Sequence, residues 1–152
     1  MPSVPYEQPA PIAKFLVEVN GQQARINKAG LPEMEVQTAE MVNGGDPFIK
    51  KVVSGPAKAG ELVLTRYIDG SSEDVLFRDL FKQTFNPTGP SSASDERTTI
   101  AVIKLNASGS EVERRIYHDC FPTKWSKVEQ DAASSDLETE EFTFAVDWWE
   151  VV

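Results

Sequence analysis

Along most of this chain apolar and polar residues alternate with a period of two, and only one stretch has the spacing of a helix. Side chains alternate across a strand but return to one face of a helix every three to four residues. The pattern therefore confines the fold to a mainly β architecture. "KFLVEVNG" puts Phe15, Val17 and Val19 on one face, with Leu16 breaking the alternation, and ends at Asn20-Gly21, a hairpin signal. "LPEMEVQTAEMV" sets Met34, Val36 and Thr38 against Glu33, Glu35 and Gln37. "GELVLTRY" has Leu62 and Leu64 on one side and Val63, Thr65 and Tyr67 on the other, so cover is expected on both sides, from its own core or from another subunit. "TTIAVIKLNASGSEVERRIYHDCF" reads as a strand over 98–105, a turn from Asn106 to Ser110 and a returning strand to about Phe121. The closing "ETEEFTFAVDWWEVV" alternates Phe142, Phe144, Val146 and Trp148 against Thr143, Ala145, Asp147 and Trp149, which predicts one last strand.

The exception is "SSEDVLFRDLFKQTF", where Phe77, Phe81 and Phe85 recur every four residues beside Leu76 and Leu80. This predicts a helix over about 73–85. Ser71 followed by Asp74 resembles a capping box with the shorter acid, and Asn86-Pro87 is the expected stop. Strands, one helix, then strands can bury their faces as a sandwich or a small closed barrel with the helix on one open side.

With 152 residues the chain suits one domain, and a single cysteine, Cys120, excludes an internal disulfide. Prolines at 2, 5, 9 and 11 rule out helix or central strand at the start, so residues 1–12 are expected to be an arm and 13–152 the domain. No window approaches a membrane span and the N-terminus lacks the pattern of an export signal, so no membrane insertion is expected. A net charge of −9 argues against a phosphate-binding surface, which needs clustered Lys and Arg.

Candidate chemistry is sparse. His118 and Cys120 lie two apart, where a strand would point both to one face, but a lone pair without an oxyanion hole or a local signature is better read as packing. The acidic run "DAASSDLETEE" lacks the glycine-centred loop of a calcium site and reads as a solvated turn. Asn106-Ala107-Ser108 reads as a hairpin turn. Gly44-Gly45 and Gly55 form no phosphate loop, since no Gly-Lys-Ser/Thr follows. No catalytic residue, metal or cofactor is expected. Trp125, Trp148 and Trp149 give one alternative, the stacking platform of a monomeric carbohydrate-binding sandwich.

The order of several motifs resembles the inner tail tube proteins of contractile-tailed bacteriophages and related contractile injection systems. "FLVEVNG" and "AGLPEMEVQTAE" are similar to that family's opening strand, turn and acidic strand, with Ala29 where serine is common. Gly44-Gly45 and "SGPAKAGELVLTR" resemble its approach to a strand ending in Thr-Arg, although Ser54-Gly55-Pro56 departs from the usual order. The helix after Arg66, "IAVIKLNASGSEV" with Asn106 in place of Asp, and "FPTKWS" from Phe121 to Ser126 correspond as well, whereas "DAASSD" departs from the family's turn. The resemblance spans about Phe15 to the C-terminus. It implies a closed β-barrel-like fold with a flanking helix, assembled as hexameric rings stacked into a hollow tube. The implied partners are further copies of the chain, the sheath protein, and baseplate, tail-terminator and tape-measure proteins, with DNA or effector cargo passing unbound. The implied location is a virion tail or phage-like particle assembled in the bacterial host cytoplasm. The ring proteins of type VI secretion, the haemolysin-coregulated proteins, are fold relatives and a second alternative.

One feature fits such an assembly. The stretch from Asn43 to Gly60 is long, rich in Gly, Pro and Lys, and reads as a loop, and loops of that length in compact domains are usually functional. Asn43, Gly44, Gly45, Asp46, Phe48, Ile49, Lys50, Lys51, Val52, Val53 and Lys58 are therefore the expected contacts with a neighbouring subunit or ring.

Overall fold

The computed structural model describes residues 10–85, 89 and 97–152. Most of the predicted arm (residues 1–9) and the Asn86-Pro87 stop lie outside the described residues. The chain opens with β1 (Phe15–Val19) and β2 (Gln22–Ala24), joined by the two-residue turn Asn20-Gly21. Both turn residues have positive φ, 52° and 81°, as a turn that follows the strand twist requires, which is why Asn-Gly occupies it. Next come β3 (Lys28–Gly30), β4 (Met34–Met41), β5 (Lys50–Ala59) and β6 (Glu61–Tyr67), followed by α1 (Ser72–Thr84). β7 (Thr98–Leu105), β8 (Glu111–Lys127), β9 (Thr139–Ala145) and β10 (Trp148–Val151) complete the chain.

The strands follow the order β2-β1-β7-β8-β9-β6-β3, with β10 beside β8, while β4 and β5 pair only with each other. The mainly β, one-helix, sandwich-like expectation holds, but the order is open, ending on β2 and β3, so no barrel closes among the described residues. One strand joins the two sheets. Residues 111–120 of β8 pair with β7, residues 121–127 pair with β9, and the return strand therefore runs past the predicted end at Phe121 to Lys127. Asp119 lies at the change of partner with φ 55°, a local irregularity of the kind that lets a strand turn from one sheet into another.

The predicted last strand is two. β9 ends at Ala145 against β6 and β8, and after Val146-Asp147 the chain turns to lay β10 along β8. The Asp147 amide donates to the His118 carbonyl at that corner. Continuous alternation hid the corner because Val146 is buried like the strand residues before it.

Val17, Val19, Leu62, Leu64, Ile100, Tyr117, Phe142 and Phe144 fill the interior. The helix closes one side with Phe77, whose ring centroid is 5.1 Å from that of Phe142, and with Phe81, 5.5 Å from Trp125. Each fully buried side chain here, Phe77 among them but not the half-buried Phe81, contributes roughly 1.5–3 kcal/mol. Within one chain only one side of β6 is buried; its other side is half-buried at Val63 and Thr65 and exposed at Tyr67. Ser71 holds the N-cap position but its side chain does not cap the helix. The Asp74 carboxylate turns inward instead and accepts from the Gly70 amide at 2.7 Å.

That inward turn completes a buried charged cluster. Arg66, third in the alternation after Leu62 and Leu64, is 1% exposed and pairs with Asp74 of α1 and with Glu140 of β9, at 2.7 Å from the latter. Glu140 also accepts from Trp125 Nε1 at 3.0 Å, and the Arg66 guanidinium lies over the Phe77 ring at 5.4 Å. Burial pulls the guanidinium pKa down, but the hydrogen bonds and charges of Asp74 and Glu140 outweigh it, so Arg66 stays charged.

His118 and Cys120 do not share a face. The positive φ at Asp119 interrupts the alternation between them. His118 stacks on Trp148 at 3.9 Å and bonds Glu150 at 3.0 Å, whereas Cys120 is fully buried and donates to the Tyr117 carbonyl at 3.4 Å. Burial pushes the Cys120 thiol up to about 12, which keeps it protonated at neutral pH.

Two outcomes follow. Arg66→Leu strands two buried carboxylates and lowers unfolding stability by about 3–5 kcal/mol in urea titration, while adding Asp74→Asn and Glu140→Gln recovers part of that loss. Cys120 stays unlabelled by iodoacetamide at pH 8 in the folded protein and reacts once urea unfolds it; rapid labelling of the native chain contradicts the packing assigned to it.

Candidate assembly surface

The predicted loop from Asn43 to Gly60 is half of a β-ribbon. Residues 50–59 form β5, hydrogen-bonded along β4 from Met34↔Ala59 to Met41↔Lys50, and only residues 42–49 connect the two. Composition concealed the strand, because "SGPAKA" carries Gly and Pro and only Ala59, at the end of β5, packs against the core. Ser54-Gly55-Pro56 falls where the ladder shifts register between Val36 and Thr38. A Cβ on Gly55 would meet the Gln37 side chain at 2.2 Å, so a larger residue there displaces Gln37.

The ribbon stands away from the body. Apart from Met34, Gly55 and Ala59, all of its strand residues are exposed. Met34, Val36, Val53, Ala57 and Ala59 share one face with Thr38 and the Glu40–Lys51 pair, and the other carries Glu35–Lys58, Ala39–Val52 and Met41–Lys50. Lys51 and Lys58 thus sit opposite acids in the ladder, Lys51 across from Glu40 and Lys58 across from Glu35. At the tip, Asn43 accepts from the Asp46 amide and Gly45 has φ 89°, a turn that presents Phe48 at 79% exposure and Ile49 at 57%. Val53 is 71% exposed.

Every predicted contact residue therefore lies on this ribbon, with Asn43, Gly44, Gly45, Asp46, Phe48 and Ile49 at its tip, Lys50, Lys51, Val52 and Val53 just below, and Lys58 near its base. Val36 and Met41 of β4, at 48% and 41% exposure, belong to the same surface and were missed. The signal for them was the unburied alternation of "MEVQTAEM", which has too few apolar residues for a core strand.

At the base, Gly60 donates its amide to the Glu33 carbonyl, which also receives Trp149 Nε1 at 3.4 Å. Trp149 packs on Tyr117 at 6.0 Å, with the Arg115 guanidinium 5.0 Å over its ring. Trp125 stacks on Phe142 at 5.6 Å, and Trp148 on His118. The three indoles are thus committed to separate contacts and offer no common platform. Among the described residues no cluster of His, Cys, Asp and Glu is placed to hold a metal, and no helix is long and apolar enough to cross a membrane.

A groove of about 470 Å³ opens between the sheets on the side where the strand order fails to close, floored by Phe15, Ala29, Leu31 and Val102, with Ile12 at its edge. Its lining is mostly apolar, and Phe15 and Ala29 continue from it into the core.

Among solved structures, the chain is similar to a subunit of the extracellular contractile injection system PVC sheath-tube complex in the extended state, at 22% identity and TM-score 0.75, covering 96% of this chain and 93% of that one. It is also similar to a chain of the anti-feeding prophage tube terminating cap, at 17% identity and TM-score 0.79, covering 99% and 95%. Hcp1 from Flavobacterium johnsoniae matches less well, at 16% identity and TM-score 0.58 over 90% and 93%. These likenesses establish the fold. None of the curated proteins is similar in sequence. The family model of the T4-like virus tail tube protein gp19 matches residues 11–150, so the chain belongs to that family and is a structural tube subunit of a contractile, phage-tail-like system.

Proposed function

We propose that copies of this chain form hexameric rings that stack into a hollow conduit for DNA or protein inside a contractile sheath, and that the β4–β5 ribbon is the element each copy lays over a neighbour in its own or the adjoining ring. The observation that carries this reading is the ribbon, a two-stranded sheet that buries neither face in its own chain. Such a ribbon is marginal in water by itself and needs a third layer. Phe48, Ile49, Val53 and Val36 gain the burial that a monomer denies them.

Stacked rings need a lateral contact that closes and an axial one that repeats, and a projecting ribbon that meets a different surface of the next copy is heterologous, as both require. The partners proposed for the assembled tube are the sheath, the baseplate, a terminating cap and a tape-measure protein, within a virion tail or phage-like particle built in the host cytoplasm. No catalysis is assigned to the chain. The net charge of −9 suits a conduit, because acidic walls repel passing phosphates rather than hold them.

Replacing Phe48 and Ile49 together with Ser removes roughly 3–6 kcal/mol of burial per ribbon if both are covered in the assembly. The variant keeps the circular dichroism spectrum and unfolding midpoint of the parent but forms no tubes by negative-stain microscopy. Normal tubes from this variant refute the assignment.

A further inference from the structure

We infer that the groove between the sheets is the seat of the ribbon tip, so that Phe48 of one copy enters the groove of the next. This rests on the proposed role of the ribbon and adds the surface that receives it. The groove and the tip are complementary in three independent respects.

The first is chemistry. The groove floor is apolar and continuous with the core, so an aromatic or aliphatic side chain entering it completes an interior rather than covering a flat face. Phe48 and Ile49 are adjacent, exposed and at the end of a narrow ribbon, a shape suited to a cleft.

The second is charge. Lys28, Lys104 and Arg115 stand around the groove, with Glu113 paired to Arg115. Lys28 has no carboxylate partner among the described residues, and neither does Asp46 have a cation there, two residues before Phe48. Lys50, two residues after Phe48, lies opposite Met41 and has no carboxylate partner among the described residues either, so the basic rim favours entry with Asp46 leading and Lys50 turned away.

The third is reach. The ribbon starts from Leu31–Glu33, beside the groove of its own chain, and its paired length from Met34 to Met41 carries the tip roughly 25 Å away at strand rise. A paired ribbon cannot fold back on its own root. Its tip therefore meets the groove of another copy, and that copy's tip meets a third, a contact that propagates around a ring or along a tube.

The test joins differently tagged copies carrying Pro47→Cys and Asn27→Cys, which place thiols beside the tip and at the groove edge while leaving Phe48 and the groove floor intact. A short bismaleimide links the two tags in assembled tubes, and a Val75→Cys partner on the exposed face of α1 is not linked. Tubes in which Pro47→Cys joins Val75→Cys but not Asn27→Cys overturn the groove assignment and leave the ribbon's role standing. The same holds if Tyr6→Cys, near the start of the chain, links to Asn27→Cys in place of Pro47→Cys. Failure of the unmodified chain to assemble, with no link between copies, overturns both readings. Lys28→Glu raises the concentration needed for assembly about tenfold, because repulsion replaces attraction at the rim, and adding Asp46→Lys restores it. Equal loss in the double variant contradicts the pairing.

Discussion

A ribbon of two strands has no interior, since each strand presents one edge and two faces to whatever surrounds it. In this chain that constraint applies to β4 and β5, which together use 18 residues and bring only Ala59, half-buried at the base, against the core. The backbone bonds between them are satisfied along the ladder from Met34 to Met41, so the ribbon has a defined shape before it meets anything. It lacks burial. A chain that maintains a shaped but uncovered element has left part of its stabilisation to its neighbours, and the open strand order and the groove beside β3 repeat the same incompleteness elsewhere.

An element that reaches a neighbour is useful only if its root is rigid. β8 crosses from one sheet to the other and so locks both into one body. The Arg66 cluster ties β6, β9 and α1 at a single buried point, where the guanidinium's two fully buried carboxylates, Asp74 and Glu140, come from different elements. A buried ion cluster is a weak source of net stability, because desolvation offsets most of its attraction, but it penalises any arrangement that separates its members. β6 follows the ribbon after a single residue, Gly60, so the strand that carries Arg66 is also the one from which the ribbon departs. The amide of Gly60 and the indole of Trp149 both reach the Glu33 carbonyl, which holds the two legs of the ribbon and the C-terminal strand together.

Much of this architecture was legible in the sequence wherever one face of an element meets the core. The period of two located β1, β6 and β9, and also β4 although it buries neither face. The hairpin around Asn106–Ser110 located β7, the four-residue recurrence of phenylalanine located α1, and Asn20-Gly21 marked its turn. Reading failed where burial gives no signal. β5 has no buried face, so its Gly-Pro-Lys composition passed for a loop, although the residues singled out there are the ones the ribbon exposes. The corner between β9 and β10 was hidden for the opposite reason, because alternation runs through it without a break. The extension of β8 to Lys127 was hidden because Pro122 and the register shift beside it interrupt the alternation. Arg66 and Glu140 were missed since a charge on an apolar strand face looks like an error until its partners, 8 and 74 residues away along the chain, are brought beside it.

Hydrogen exchange along β4 and β5 tests the claim of deferred burial most directly, measured on the same chain as a dilute monomer and as assembled tubes. The account predicts that amides of residues 34–41 and 50–59 exchange quickly in the monomer while β6, β7 and β9 are protected, and that assembly slows the ribbon toward the rate of those core strands. A ribbon already as protected in the monomer as β6, or one whose exchange assembly leaves unchanged, contradicts it.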